Sequence, residues 1–325
     1  MNFPSSPRYF PAPTSISPEA RAFLEQKVDP TLFLKRPSGR EDWLRFREAA
    51  NAVRETEAKT LVQTLPVRVE ELNMSGVVVR RIIPHDQPAQ KAGQIILEMH
   101  GGAYVLLDGL SGLTRALKFS AQSGYSVLSL DYRMPPDDPY PAAFNDALAV
   151  YKTLLETCSP EQIGLFGTSA GGNLAACLCL ALEKKNLPQP AALVLNSPCT
   201  DMSASGDTFT TLETIDPGLY TYHGVIEEAL KLYADGCSLS DPCLSPLNSQ
   251  LPKIFPDTLL VTGTRDLLMS DTVRFHMKLR AANRISELLV FEGMWHAFSG
   301  TPEEEDLYHH MSRFFENRLA THLTD

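Results

Sequence analysis

A chain of 325 residues with 43% hydrophobic and 21% charged side chains carries enough apolar material for a sizeable core, which excludes a disordered or fibrous polymer. Its formal net charge of −10, with no Lys/Arg cluster to reverse the field locally, repels polyphosphate, so nucleic acid is not an expected partner. No apolar run reaches the 18 residues that a membrane-spanning helix needs, so no span is expected.

In chain order, Met1–Pro13 contains Pro, Ser and aromatic residues but no signal-like apolar run. Pro18 to Thr64 has helical periodicity, with charges between Phe23, Leu24, Leu44, Phe46, Ala49, Ala50 and Val53. Val67–Leu72 and Val77–Ile83, separated by a turn at Gly76, predict a hairpin. Short apolar runs then alternate with helical segments. The runs are Ile95–Leu97, Val127–Leu130, Ile163–Phe166, Leu193–Leu195, Leu259–Val261 and Leu288–Phe291. The helical segments are 111–123, 141–156, 171–185, 271–283 and 303–319. Runs of three or four apolar residues closed by polar or Gly-rich turns suit strands buried on both faces, and the alternation implies a mostly parallel α/β sheet. Such a sheet places its ligand site beyond the carboxyl ends of its strands. The polar, Pro-containing stretch 200–251 interrupts the rhythm, with a helical piece expected at Leu219–Tyr233. A structureless loop of that length is uncommon in a compact domain, so it is expected to pack with the N-terminal helices as a cap over the site. The acidic run Glu303–Asp306 fits the first turn of a last helix, where the macrodipole favours negative charge.

The six cysteines form no CxxC pair and have no His at zinc-ligand spacing, so the expectation is reduced thiols, no metal and a cytoplasmic protein. Cys237 and Cys243 are close enough in sequence to pair, but the compartment argues against it.

Gly167-Thr168-Ser169-Ala170-Gly171 fits G-x-S-x-G between a strand and an apolar helix. A sharp strand-to-helix turn with serine at its apex needs small residues on either side, so Ser169 is the candidate nucleophile. His100-Gly101-Gly102-Ala103-Tyr104 follows a strand directly, and adjacent glycines let backbone N–H groups approach a developing oxyanion. Gly101, Gly102 and Ala170 are the candidate donors. The competing explanation, a phosphate-binding loop, lacks both a Lys-Ser/Thr and a G-x-G-x-x-G. His296, on the loop after the last strand, is the candidate base, and His100 is assigned a structural role. The remaining histidines, His85, His223, His276, His309, His310 and His322, lie in turns, in the insertion, on helices or in the tail. Asp266, after the penultimate strand, is the candidate acid. Asp271 fits better as the N-cap of the next helix, and Glu292 would have to turn back from the last strand. Ala103, Tyr104 and Leu219 are candidate pocket residues, for which ordinary packing is the alternative.

With these blocks in place the chain resembles the bacterial hormone-sensitive-lipase-like esterases, in their Gly-Thr-Ser-Ala-Gly branch. The resemblance runs from about residue 65 to residue 320. It rests on the His100–Tyr104 and Gly167–Asn173 blocks, on Asp131-Tyr132-Arg133 with its continuation to Asp146, and on Arg265-Asp266-Leu267 and Trp295-His296-Ala297-Phe298. It implies an α/β-hydrolase fold with an eight-stranded, mostly parallel sheet, and a helical cap made of residues 1–64 and an insertion at 200–251 on a catalytic domain of residues 65–325. It further implies Ser169, Asp266 and His296 as a triad, no cofactor, short- to medium-chain acyl esters as substrates, and a homodimer as a common assembly. Ala103 stands where many members have Gly, and Thr168 where Asp is commoner. The Asp131-Tyr132-Arg133 block is assigned a structural ion pair. The expected activity is therefore that of a serine carboxylesterase. A lactone or amide hydrolase with the same triad is the alternative within enzymology, and a noncatalytic ligand receptor on the same fold is the alternative outside it.

Overall fold

The computed structural model describes residues 10–320, so the N-terminal reading over Met1–Tyr9 and the placement of His322 fall outside it. The predicted N-terminal helical region is two helices, α1 (Pro18–Leu24) and α2 (Gly39–Thr64), separated by a non-helical stretch that contains Pro30 and Pro37. Proline lacks the amide donor that a continuous helix would need there. The expected hairpin follows as β1 (Val67–Met74) and β2 (Val77–Pro84). Ser75 and Gly76, at φ 53° and 87°, form its two-residue loop, the left-handed pair that matches strand twist.

The alternating part then runs β3 (Ile95–Met99), α3 (Thr114–Ser123), β4 (Ser126–Asp131), α4 (Ala142–Leu155), β5 (Ile163–Thr168), α5 (Ala170–Leu182) and β6 (Ala192–Asn196). After the interruption come β7 (Asp257–Gly263), α8 (Met269–Ala281), β8 (Ser286–Phe291) and α9 (Pro302–Glu316). Two helices lie inside the interruption, α6 (Thr208–Thr211) and α7 (Val225–Ala234). The helical piece expected from Leu219 is thus shorter. Tyr220 at φ 60° and Gly224 at φ 121° hold the chain out of helical geometry until Val225.

The eight strands form one sheet in the order β1-β2-β4-β3-β5-β6-β7-β8, with β2 antiparallel to both neighbours and every pair from β4–β3 to β7–β8 parallel. Strands β3, β5 and β6 are buried at every position, which explains why they read as unbroken apolar runs. Successive residues serve opposite layers. Leu97, Leu165, Leu193 and Leu260 pack with Ala175, Leu154 and Phe275 of α5, α4 and α8. Ile96, Phe166, Val194 and Val261 pack with Phe119 and Phe315 of α3 and α9. Edge strand β8 is only half covered, and Val290 remains 47% exposed.

Above the carboxyl ends, the N-terminal segment meets the 200–251 stretch. Val225 N–H donates to Phe33 O (2.9 Å), Phe33 stacks on Tyr220 with ring centroids 5.7 Å apart, and Arg36 pairs with Glu227 and Glu228. The acidic run does begin α9, yet it is not simply solvated. Glu304 is buried, accepting from Tyr308 Oη (2.8 Å) and pairing with Lys118 (3.3 Å), while Glu303 accepts from the amide and hydroxyl of Ser17. Among the described residues no helix is long and apolar enough to cross a membrane.

Candidate active site

The turn from β5 into α5 is tight enough to explain its sequence. A Cβ on Gly167 would lie 2.3 Å from Gly171 O, and one on Gly171 only 1.9 Å from Met99 O. Backbone therefore crosses backbone on both sides of Ser169, which sits at φ 56°, ψ −117°, a conformation that costs energy for a residue with a side chain. Its N–H donates to Asn196 O of β6 (3.0 Å), and its carbonyl accepts from Cys199 N (3.2 Å). The strained turn is thereby held from the neighbouring strand, with the hydroxyl projecting over the sheet.

Loops from β7 and β8 bring the other two predicted residues to it. His296 Nε2 lies 2.9 Å from Ser169 Oγ, and its Nδ1 lies 3.1 Å from Asp266 Oδ1. A carboxylate only accepts, so Nδ1 carries the proton in this pair and Nε2 is free to accept the serine proton. Asp266 is fully buried and also accepts from Thr262 Oγ1 (2.8 Å) and Leu268 N (2.9 Å). Burial works to raise its pKa, but the adjacent imidazole and the donated hydrogen bonds outweigh it and hold the carboxyl below the usual range.

Gly101 packs directly on the turn, where a Cβ would meet Thr168 O at 3.1 Å and Ser169 Cβ at 3.3 Å. Gly102 adopts φ 96° with no room beside Leu106 O, and Ala170 opens α5, at a helix N-terminus, where backbone amides favour an anion. All three line the same cavity as Ser169 and His296. His100 does not reach the serine. It stacks on Tyr132 at 4.2 Å, and its Nδ1 binds Gly101 O at 2.9 Å, fixing the glycine loop. Arg133 pairs with Asp146 at 2.7 Å, as its motif suggested.

Two expectations need correction. Tyr104 is fully buried and not part of the cavity wall: its ring stacks on Tyr233 at 3.7 Å and its hydroxyl donates to Asn173 (2.7 Å). Asp271 is not an N-cap, because α8 already starts at Met269. Asp271 is buried inside its first turn and accepts from Asp201 N (2.9 Å). Ala103 and Leu219 do line the cavity.

Sequence reasoning missed Asp216. Its Oδ1 accepts from the amides of Gly218 (2.8 Å), Leu219 (3.3 Å) and His296 (3.3 Å), and its Oδ2 from Leu267 N (2.8 Å). One buried carboxylate thus joins the 200–251 stretch to the loops that carry Asp266 and His296. Complete burial, reinforced by the charge of Asp266, pushes its pKa upward. In sequence, Asp216-Pro217-Gly218 signals only a turn.

The cavity has a volume of about 920 Å³. Toward the roof it is apolar, with Phe33, Phe46 and Val53 from the N-terminal segment and Leu219, Ile226 and Leu230 from the 200–251 stretch. Such a cavity, with a few convergent polar groups at one end, suits a small, largely apolar molecule presented to Ser169.

Residues 96–300 match the family described as the alpha/beta hydrolase fold. The chain belongs to that family, in its hormone-sensitive-lipase-like esterase group. It is 30% identical over 240 residues to an esterase of Acinetobacter venetianus, covering 73% of this chain and 76% of that one. An acetyl-hydrolase of Streptomyces hygroscopicus is 34% identical over 186 residues, 57% of this chain and 61% of its own length. Among solved structures, that of esterase E25 superimposes with a TM-score of 0.93 at 35% identity, covering 98% of this chain and 99% of its own.

Proposed function

We propose that this chain is a serine carboxylesterase that hydrolyses short- to medium-chain carboxylic esters through an acyl-enzyme. The observation that carries the proposal is the continuous hydrogen-bonded line Ser169–His296–Asp266 at the floor of an apolar cavity. In it Ser169 Oγ attacks the ester carbonyl while His296 Nε2 takes its proton, and Asp266 steadies the imidazolium that results. The amides of Gly101, Gly102 and Ala170 receive the oxyanion, each such donor being worth roughly 2.7–4 kcal/mol of barrier. The alcohol leaves with the proton from His296, and water repeats the sequence on the acyl-enzyme. Esterase and acetyl-hydrolase relatives support the substrate class.

Residues 10–64 and 200–251 serve as a cap on this machinery, in keeping with their shared contacts above the site. A homodimer fits the exposed Met277, Ile285 and Val290 on and beside edge strand β8, and a cytoplasmic location fits the six free cysteines. The test is hydrolysis of p-nitrophenyl esters of increasing chain length, together with labelling by a serine-directed phosphonate. Ser169→Ala is expected to abolish both while the protein stays folded. Retention of most of the rate in that variant would refute the assignment.

A further inference from the structure

Behind the glycine loop the cavity changes character. On this side its wall includes Glu98, His100, Thr114, Arg115 and Thr168. Glu98 on β3 is in register with Phe166 on β5, and Thr168 lies two residues further along, so both side chains leave the same sheet face, toward α3. Besides Arg115 Nη1, which forms only an ion pair with Glu304 (3.6 Å), four polar atoms here have no hydrogen-bond partner among the described residues: Glu98 Oε1, His100 Nε2, Thr114 Oγ1 and Thr168 Oγ1. Their residues are only 0%, 4%, 7% and 3% exposed. Buried polar atoms are nearly always paired, so four orphans on one cavity wall call for an occupant that can pair with them.

The chemistry of the four atoms selects the occupant. His100 Nδ1 must donate to Gly101 O, since a carbonyl only accepts, and Nε2 therefore offers a lone pair. Burial lowers the pKa of this imidazole, which keeps it neutral. Glu98 Oε2 accepts from Ser129 Oγ (2.7 Å), leaving Oε1. The threonine hydroxyls can donate or accept. The occupant must therefore both donate and accept. A hydrocarbon end does neither, and a carboxylate, which only accepts, leaves the His100 Nε2 lone pair without a donor. We propose that this recess binds an aliphatic hydroxyl group of the substrate, carried either on the acyl chain or on the alcohol, so that the enzyme prefers hydroxylated esters. The inference rests on the esterase function proposed above.

Matched pairs test it on the intact wild-type protein: p-nitrophenyl 3-hydroxybutyrate against p-nitrophenyl butyrate for the acyl side, and glycerol monobutyrate against propyl butyrate, followed by pH-stat, for the alcohol side. The expected result is kcat/KM about tenfold or more in favour of the hydroxylated member of one pair, because a site built to hydrogen-bond a hydroxyl discriminates against its absence. Thr168→Val, and separately Thr114→Val should the first variant not fold, are expected to bring that ratio toward one. Turnover of the plain esters with no preference in either pair overturns the recess and leaves the esterase function standing. So does a preference that neither valine variant alters. Failure to turn over any of the four esters refutes both.

Discussion

Asp216→Asn removes one acceptor from a carboxylate that serves four backbone amides, without changing the shape of the side chain. Whichever way the new amide turns, one of its ends is an NH2 group. With its oxygen toward Gly218, Leu219 and His296, the NH2 faces the Leu267 amide now held at 2.8 Å; turned over, it faces all three others. The first arrangement strands one buried donor, at about 1–3 kcal/mol. The segments so loosened carry the neighbours of Asp266 and His296. Since each 1.36 kcal/mol is tenfold in rate, the expected loss in kcat is about 2- to 13-fold if half of that cost falls on placing the imidazole. KM for a short ester should change little, because Asp216 does not line the cavity. Steady-state kinetics on p-nitrophenyl butyrate and urea unfolding at the same pH read both effects. Wild-type kcat together with wild-type stability would refute the view that this carboxylate positions the histidine loop.

Gly171→Ala would place a methyl 1.9 Å from Met99 O, a backbone atom that cannot swing away. Overpacking of this kind costs about 1–3 kcal/mol, and a shift of the serine near 1 Å costs about 100-fold in rate. Thermal melting and kcat are expected to fall together, and a variant with normal kcat would contradict the crossing described at this turn. Glu98 titrates from its buried position at about 7, raised from 4.5 chiefly by burial, with the Ser129 hydrogen bond and Arg115 opposing the rise. A carboxyl with a raised native pKa leaves the protein unpenalised below the unfolded value and fully penalised above the native one, so stability falls as pH rises from about 4.5 to about 7. Glu98→Gln should therefore gain roughly 2.5 kcal/mol relative to wild type on going from pH 5 to pH 8, by the linkage of 1.36 kcal/mol per pKa unit. Parallel urea denaturation at the two pH values checks this, and an equal difference at both would show that Glu98 does not titrate in that window.

The central strands were legible because they are buried on both faces, which forces continuous apolar runs such as Ile163–Phe166. The contacts of Ser169, His296 and Asp266 were legible because each residue follows a strand end, and parallel strands deliver all such ends to one edge of the sheet. What escaped was tertiary. Asp216 gains its role from amides at 218, 219, 267 and 296, which no local pattern connects. Tyr104 adjoins the glycine loop in sequence, yet its ring finds Tyr233, over a hundred residues away, and the stacking removes it from the pocket. Asp271 has the spacing of a helix cap, but the helix begins two residues earlier and the carboxylate is taken by Asp201.

The aromatic contact between Phe23 and Trp295, with centroids 4.2 Å apart, ties α1 to the residue next to His296, and Ser17 clasps Glu303 at the foot of α9. The segment from Ser17 to Leu24 thus buttresses the loop that carries His296 without itself lying beside Ser169 Oγ. That loop follows the last strand, so during synthesis α1 has waited through the making of the whole sheet before Phe23 can close on Trp295.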